Sequence, residues 1–194
     1  MMKVVGIDLG GVETRPTGFC VLDNKSVTTS VLYSDREIIQ RVVKAKPGVV
    51  AIDAPLSLPK GRESLEKRSD VHLRECDREL LRMKIKFFPI TLGPMRKLTE
   101  RGIKIKNVLE KKGFEVIEVY PGAAQDIWKI PRKQNGLGKL RKGLEKLGIK
   151  GLNDSMTGDE LDAITSALVG ELFLEKLHTA LGNKDEGLMI IPRV

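Results

Sequence analysis

The sequence predicts an α/β fold in which a mixed five-stranded sheet carries helices on both faces. Three observations predict it. Short apolar runs closed by Gly or Pro recur at "KVVGIDL" (3–9), "VVAID" (49–53) and "FEVIEVY" (114–120); they are too short for helices and are bounded as buried strands are. Two further strand-like runs, "TGFCVLD" (17–23) and "SVTTSVLYS" (26–34), are separated only by "NK", which is hairpin spacing. Segments of helical periodicity then alternate with the later strands, giving the order β-β-β-α-β-(helical insert)-β-α-α. A meander followed by helix–strand alternation builds a mixed sheet with a helical layer on each side.

In chain order, "DREIIQRVVKAK" (35–46) has helical periodicity with Asp35 as its cap, and Pro47-Gly48 ends it. Residues 55–113 form a basic, mostly helical insert: "SDVHLRECDRELLRMK" (69–84), a break at "FFPITLGP" (87–94), then a helix to about Lys112. "GAAQDIW" and "LGKLRKGLEKLG" read as short helices around a Gly/Asn loop, the 157–177 segment as a longer one, and "LMIIP" as a candidate last edge strand. At 194 residues with 41% hydrophobic side chains, the whole chain, 1–194, is expected to be one domain with a real core. No apolar run reaches the ~20 residues a membrane span needs. The N-terminus meets Asp8 and glycines too early for a secretory signal, and Cys20 and Cys76 lack metal-ligand spacing, so a reducing, cytoplasmic setting is the expectation. His72 and His178 have no matching ligands nearby in sequence, which argues against zinc.

Charge is unevenly placed. The net charge is +8, yet residues 60–112 hold 16 basic and 8 acidic side chains, residues 129–150 hold 8 and 1, and the remainder is acidic. Two basic stretches on an otherwise acidic chain suit a polyanion-binding surface beside a carboxylate-lined site. The competing reading is a Lys/Glu lattice of surface ion pairs. The 129–150 stretch, with only Glu145 to pair with, favours an external anion.

The carboxylates fall where chemistry gathers. Asp8 lies near the end of the first strand, Asp53 ends the fourth, and Glu118 is in the fifth; in open α/β sheets, sites collect at the carboxyl ends of strands. "MTGDELDAITSAL" (156–168) places Asp159, Glu160 and Asp162 at a helix start. Thr157 and Glu160 make a capping box, which accounts for Glu160 and partly for Asp159. Asp162 lies a turn further in and projects from the same side as Asp159, where two like charges repel unless a cation separates them. The alternative for Asp8 and Asp53 is an ordinary turn cap. Glu37 is expected to be solvated and dipole-stabilised at its helix start, and Cys76 to be a small buried residue.

The motifs "VVGIDLG", "VVAIDAPLSLP", "RECDREL", "VIEVYP" and "DELDAITSAL" resemble, over nearly the whole chain, a domain-of-unknown-function family of predicted nucleases with an RNase H-like fold, related to RuvC-type Holliday junction resolvases. The resemblance implies an RNase H-like (RuvC-like) sheet. It also implies a four-acid site holding two metal ions, with Asp8, Asp53, Asp159 and Asp162 matching the four positions. Two features depart from the resolvase pattern: Asp53 stands where Glu is usual, and the 55–113 insert is far longer.

The function this implies is a metal-dependent nuclease that hydrolyses phosphodiester bonds of nucleic acid with Mg²⁺ or Mn²⁺. Two such ions can activate a water and stabilise the leaving oxygen. Asp8 is the expected bridging ligand, Asp53 and Asp162 each hold one ion, and capping competes for Asp159. Arg74 and Arg78, four apart, are candidate phosphate contacts, set against a salt-bridge lattice with Glu75, Asp77 and Glu79. Lys139, Arg141 and Lys142 are further nucleic-acid-binding candidates. With aromatics at 4%, Trp128 and Tyr120 cannot make an extended stacking platform, so DNA or RNA would be bound through phosphates and shape. A homodimer is a candidate assembly. The alternatives are another metal-dependent phosphohydrolase, an actin-like phosphotransferase (for which the chain lacks a second Gly-rich loop), and a non-catalytic nucleic-acid-binding scaffold.

Overall fold

A computed structural model of the protein describes residues 2–193. Strands β1 (Val4–Asp8), β2 (Thr17–Asp23) and β3 (Ser26–Leu32) form the expected meander. Asn24 and Lys25, both at positive φ, make its two-residue turn, which matches the twist of a hairpin. β4 (Val49–Asp53) lies parallel to β1, and β5 (Val116–Val119) parallel to β4.

The sheet has seven strands, not five, in the order β3-β2-β1-β4-β5-β7-β6. β7 (Gly187–Pro192), anticipated as an edge, is interior: it runs parallel to β5 and pairs antiparallel with β6 (His178–Asn183). "HTALGN" lacks the apolar alternation that would announce a strand. Its pairing is supplied by the neighbouring β7, whose "MII" is buried.

Strand parity divides the core. Val4, Val49, Ala51, Val119 and Ile190 face α6 (Gly158–Leu174), with α4 (Pro121–Ile127) and α5 (Leu137–Lys146) on the same side. Val5, Ile7, Val50 and Ile52 face α1 (Asp35–Ala45) and α3 (Gly93–Lys111). α2 (Glu75–Arg82) covers the β7–β6 end, packing Cys76 and Leu80 against Leu181, Met189 and Ile191. The insert is thus less helical than its periodicity suggests, with helix only from Glu75 and again from Gly93. It nonetheless supplies core: Ile105 and Leu109 of α3 are fully buried.

Capping corrects one expectation. Ser34, not Asp35, caps α1, in a reciprocal box with Glu37, whose carboxyl is held low by N–H and O–H groups of Ser34 and the N–H of Tyr33. Asp35 is instead paired with Arg101 and Lys104 of α3. Arg101 also donates to the carbonyls of Gly10 (2.6 Å) and Tyr33, so α3 is clamped to the chain leaving β1.

Candidate active site

Asp8 and Asp53 end adjacent parallel strands and are direct register partners. Both share the parity of Val4 and Val49, so both project on the α6 side of the sheet. Glu118 has the opposite parity and leaves the cluster. Its carboxylate accepts from Leu56 N (2.7 Å) and from both Arg74 terminal nitrogens (2.7 and 2.8 Å).

Two glycines let α6 approach. A Cβ on Gly18 would lie 1.9 Å from the Asp159 carbonyl oxygen, and one on Gly6 would lie 2.0 Å from that of Ala163. Only hydrogen fits at these two sites, so the first turns of α6 rest directly on β1 and β2. Thr157 and Glu160 complete the capping box as expected, and Glu160 also accepts from Thr29 (2.7 Å). Asp159 is therefore released from capping.

The cation required between Asp159 and Asp162 is Lys133, a residue the sequence reading did not single out. It sits in a 3-10 turn (Lys133–Asn135) between α4 and α5. Its Nζ lies 2.9 Å from Asp8 Oδ2, 2.9 Å from Asp159 Oδ1 and 3.0 Å from Asp162 Oδ2. Gly158 leaves room for its stem, since a Cβ there would come within 3.0 Å of Lys133 Cδ. Gln125, fully buried on α4, was also missed. Its amide donates to Asp162 Oδ1 (2.6 Å) and Thr165 Oγ1 (3.2 Å), turning the other Asp162 oxygen toward Lys133. The available signal was a polar side chain directly after the run "PGAA", whose Ala123 and Ala124 are fully buried.

One ammonium does not offset so many carboxylates. Burial, reinforced by Asp162 and Asp159 against the pull of Lys133, pushes the Asp8 carboxyl up to about 7. Burial and then Asp8 raise that of Asp53 well above the usual carboxylate range. Lys133 keeps its charge despite its own burial because Asp8 and Asp162 hold it. As the side chains stand, no three His, Cys, Asp or Glu among the described residues are drawn together closely enough to hold an ion. The oxygens surround an ammonium at hydrogen-bonding distance, longer than the ~2.1 Å of a Mg²⁺–oxygen contact. The donor set itself, carboxylate oxygen throughout, suits a hard divalent ion, and the lysine marks where positive charge is accepted.

The expected basic contacts fare differently. Arg74 is corrected: it is 1% exposed, and its guanidinium donates to Asp77, Glu118 and Ser57, leaving nothing for a phosphate. Arg78 is surface-exposed and paired with Glu75. The basic 129–150 stretch has more internal partners than Glu145. Arg132 pairs with Asp126, Lys133 with the cluster, and Arg141 with Asp154 and the Asn153 carbonyl. Lys139 and Lys142 are exposed with no ion pair among the described residues.

Residues 6–176 match the family described as "Protein of unknown function (DUF429)". Two solved structures are similar in fold. One is Thermus thermophilus RuvC in complex with a Holliday junction substrate (TM-score 0.54, 13% identity, covering 91% of this chain and 96% of that one). The other is a further structure of Thermus thermophilus RuvC (TM-score 0.51, 12% identity, 90% and 96%). No curated protein matches.

Proposed function

From the premise that the chain belongs to the DUF429 family and has a RuvC-like fold, we propose that it is a divalent-metal-dependent nuclease hydrolysing phosphodiester bonds of DNA or RNA. The observation that carries this reading is the convergence of Asp8, Asp159 and Asp162 oxygens on one cationic atom within 3.0 Å, with Asp53 in register beside Asp8. Asp8, Asp53 and Asp162 would hold Mg²⁺ or Mn²⁺, and Asp159 would join them. The ions would supply water activation and charge stabilisation at the leaving oxygen.

The chain's own residues do the positioning. Asp8 and Asp53 stand on rigid strand ends. Gln125 orients Asp162. Lys133 offsets the repulsion among the acids until stronger positive charge arrives. Lys139 and Lys142 remain available to phosphates on the α5 side.

A second reading, a non-catalytic scaffold, is favoured by one observation: Lys133 already neutralises part of the cluster. Two measurements separate the readings. Under the nuclease reading, hydrolysis of a phosphodiester substrate requires Mg²⁺ or Mn²⁺ and is lost in Asp53→Asn. That variant is as stable as the parent without metal, yet its melting point no longer rises with Mn²⁺. Hydrolysis that persists in excess chelator, or an undiminished Mn²⁺ shift in Asp53→Asn, would reject it.

A further inference from the structure

The carboxylates form only one wall of a cavity of about 290 Å³ at the carboxyl ends of β4 and β5. Asp53, Asp162 and Lys133 line that wall. The facing wall comes largely from the insert and is apolar: Phe87, Phe88, Met95 and Leu98, with Tyr120 from the end of β5. The polar groups at its back, Arg74, Asp77 and Glu118, are tied to one another and offer no free charge to an anion. With the metal ions of the proposed site on the carboxylate wall, a molecule that fits both walls has a flat, apolar body and an anionic group carried at one end. Phe88 adds an independent observation: it is 68% exposed although it lines the cavity, so folding alone does not account for its ring.

We propose that this cavity receives one nucleobase, unpaired or extruded from its stack, belonging to the nucleotide whose phosphate reaches the carboxylates. The 55–113 insert thereby restricts the substrate to nucleic acid with unpaired nucleotides, such as a single-stranded arm or branch, and excludes continuous duplex. Every base has an apolar face that an aromatic side chain can cover, so one pocket suffices without the extended platform that so few aromatics cannot build. This assignment rests on the nuclease reading for its phosphodiester, but base recognition is measurable without catalysis.

The test uses the full chain in Mn²⁺ and a forked DNA with nuclease-resistant linkages whose single-stranded arm carries an abasic site, moved one position at a time past the branch. Loss of the base at one position should weaken binding by about tenfold, the scale of one stacked base. Phe88→Ala, which removes an exposed ring, and Met95→Trp, which fills the cavity, should each abolish that difference while retaining a folded melting transition. Equal affinity at every abasic position, an undiminished difference in both variants, or failure to bind the fork at all would overturn the proposal. So would variants that change only self-association, which would assign the apolar wall to a second copy of the chain. If metal-dependent hydrolysis ignores the abasic site, the pocket falls and the nuclease stands. If base-dependent binding occurs and the same fork with ordinary linkages is not hydrolysed in Mg²⁺ or Mn²⁺, the pocket stands and the nuclease falls.

Discussion

Asp8 shows how a single residue couples fold and site. Its carboxyl, pushed up to about 7 by burial and by the neighbouring acids, binds a proton more tightly in the folded chain than in the unfolded one. Protonation therefore stabilises the fold. That contribution is complete below about pH 4, the ordinary range of an unfolded Asp, and is lost as pH rises through about 7. Asp53, also raised, acts in the same direction. Metal-free protein should accordingly lose stability between about pH 4 and pH 7, and Asp8→Asn should flatten that fall; denaturant titrations across the range check it. Arg74 illustrates the opposite kind of charged residue, one whose partners are complete. Arg74→Met leaves Asp77 and Glu118 buried and uncompensated, and a loss of about 3–5 kcal/mol in chemical denaturation is expected. A change in nucleic-acid affinity without a change in stability would return Arg74 to the binding surface.

At the scale of elements, the site depends on how closely α6 lies on β1 and β2. Gly18→Ala would drive a methyl group against the Asp159 carbonyl. The helix start must shift, with a cost of about 1–3 kcal/mol and a smaller Mn²⁺-induced rise in melting point, since Asp159 and Asp162 move with the helix. A variant with parental melting behaviour, with and without Mn²⁺, would show that the close approach does not matter. Much of this scale was legible in the sequence. Asp8 and Asp53 end short apolar runs, which sets them at strand ends, and the Thr157–Glu160 spacing marks the helix start. Lys133 was not legible, because it comes from a loop between two short helices and only tertiary folding brings it to acids 26 and 125 residues away in the chain. Nor was the burial of Arg74. Its "RECDREL" setting reads as an exposed lattice, and it is the strand parity of Glu118, pointing to the insert rather than to Asp53, that draws it inside.

For the molecule as a whole, the sheet order brings a carboxylate cluster, an apolar wall from the insert and the exposed lysines of α5 into one protein of net charge +8. Binding through phosphates makes affinity fall, for each tenfold rise in salt, by about 0.9 log unit per contact for duplex and about 0.7 for single strands. Lys139→Ala with Lys142→Ala should flatten the log–log slope by up to about two such increments. Arg141→Ala should leave it nearly unchanged, because Asp154 already holds that guanidinium. Equal effects from all three would mean that the Asp154 pair opens on binding. On the proposed function, the acidic cluster is a divalent-ion site that Lys133 occupies only in the absence of metal. The measurement that tests it most directly is anomalous diffraction from a crystal soaked in Mn²⁺. Anomalous density is expected among Asp8, Asp53 and Asp162, with the Lys133 ammonium displaced. A map with Lys133 still bridging Asp8, Asp159 and Asp162, and no anomalous density between the carboxylates, would contradict it.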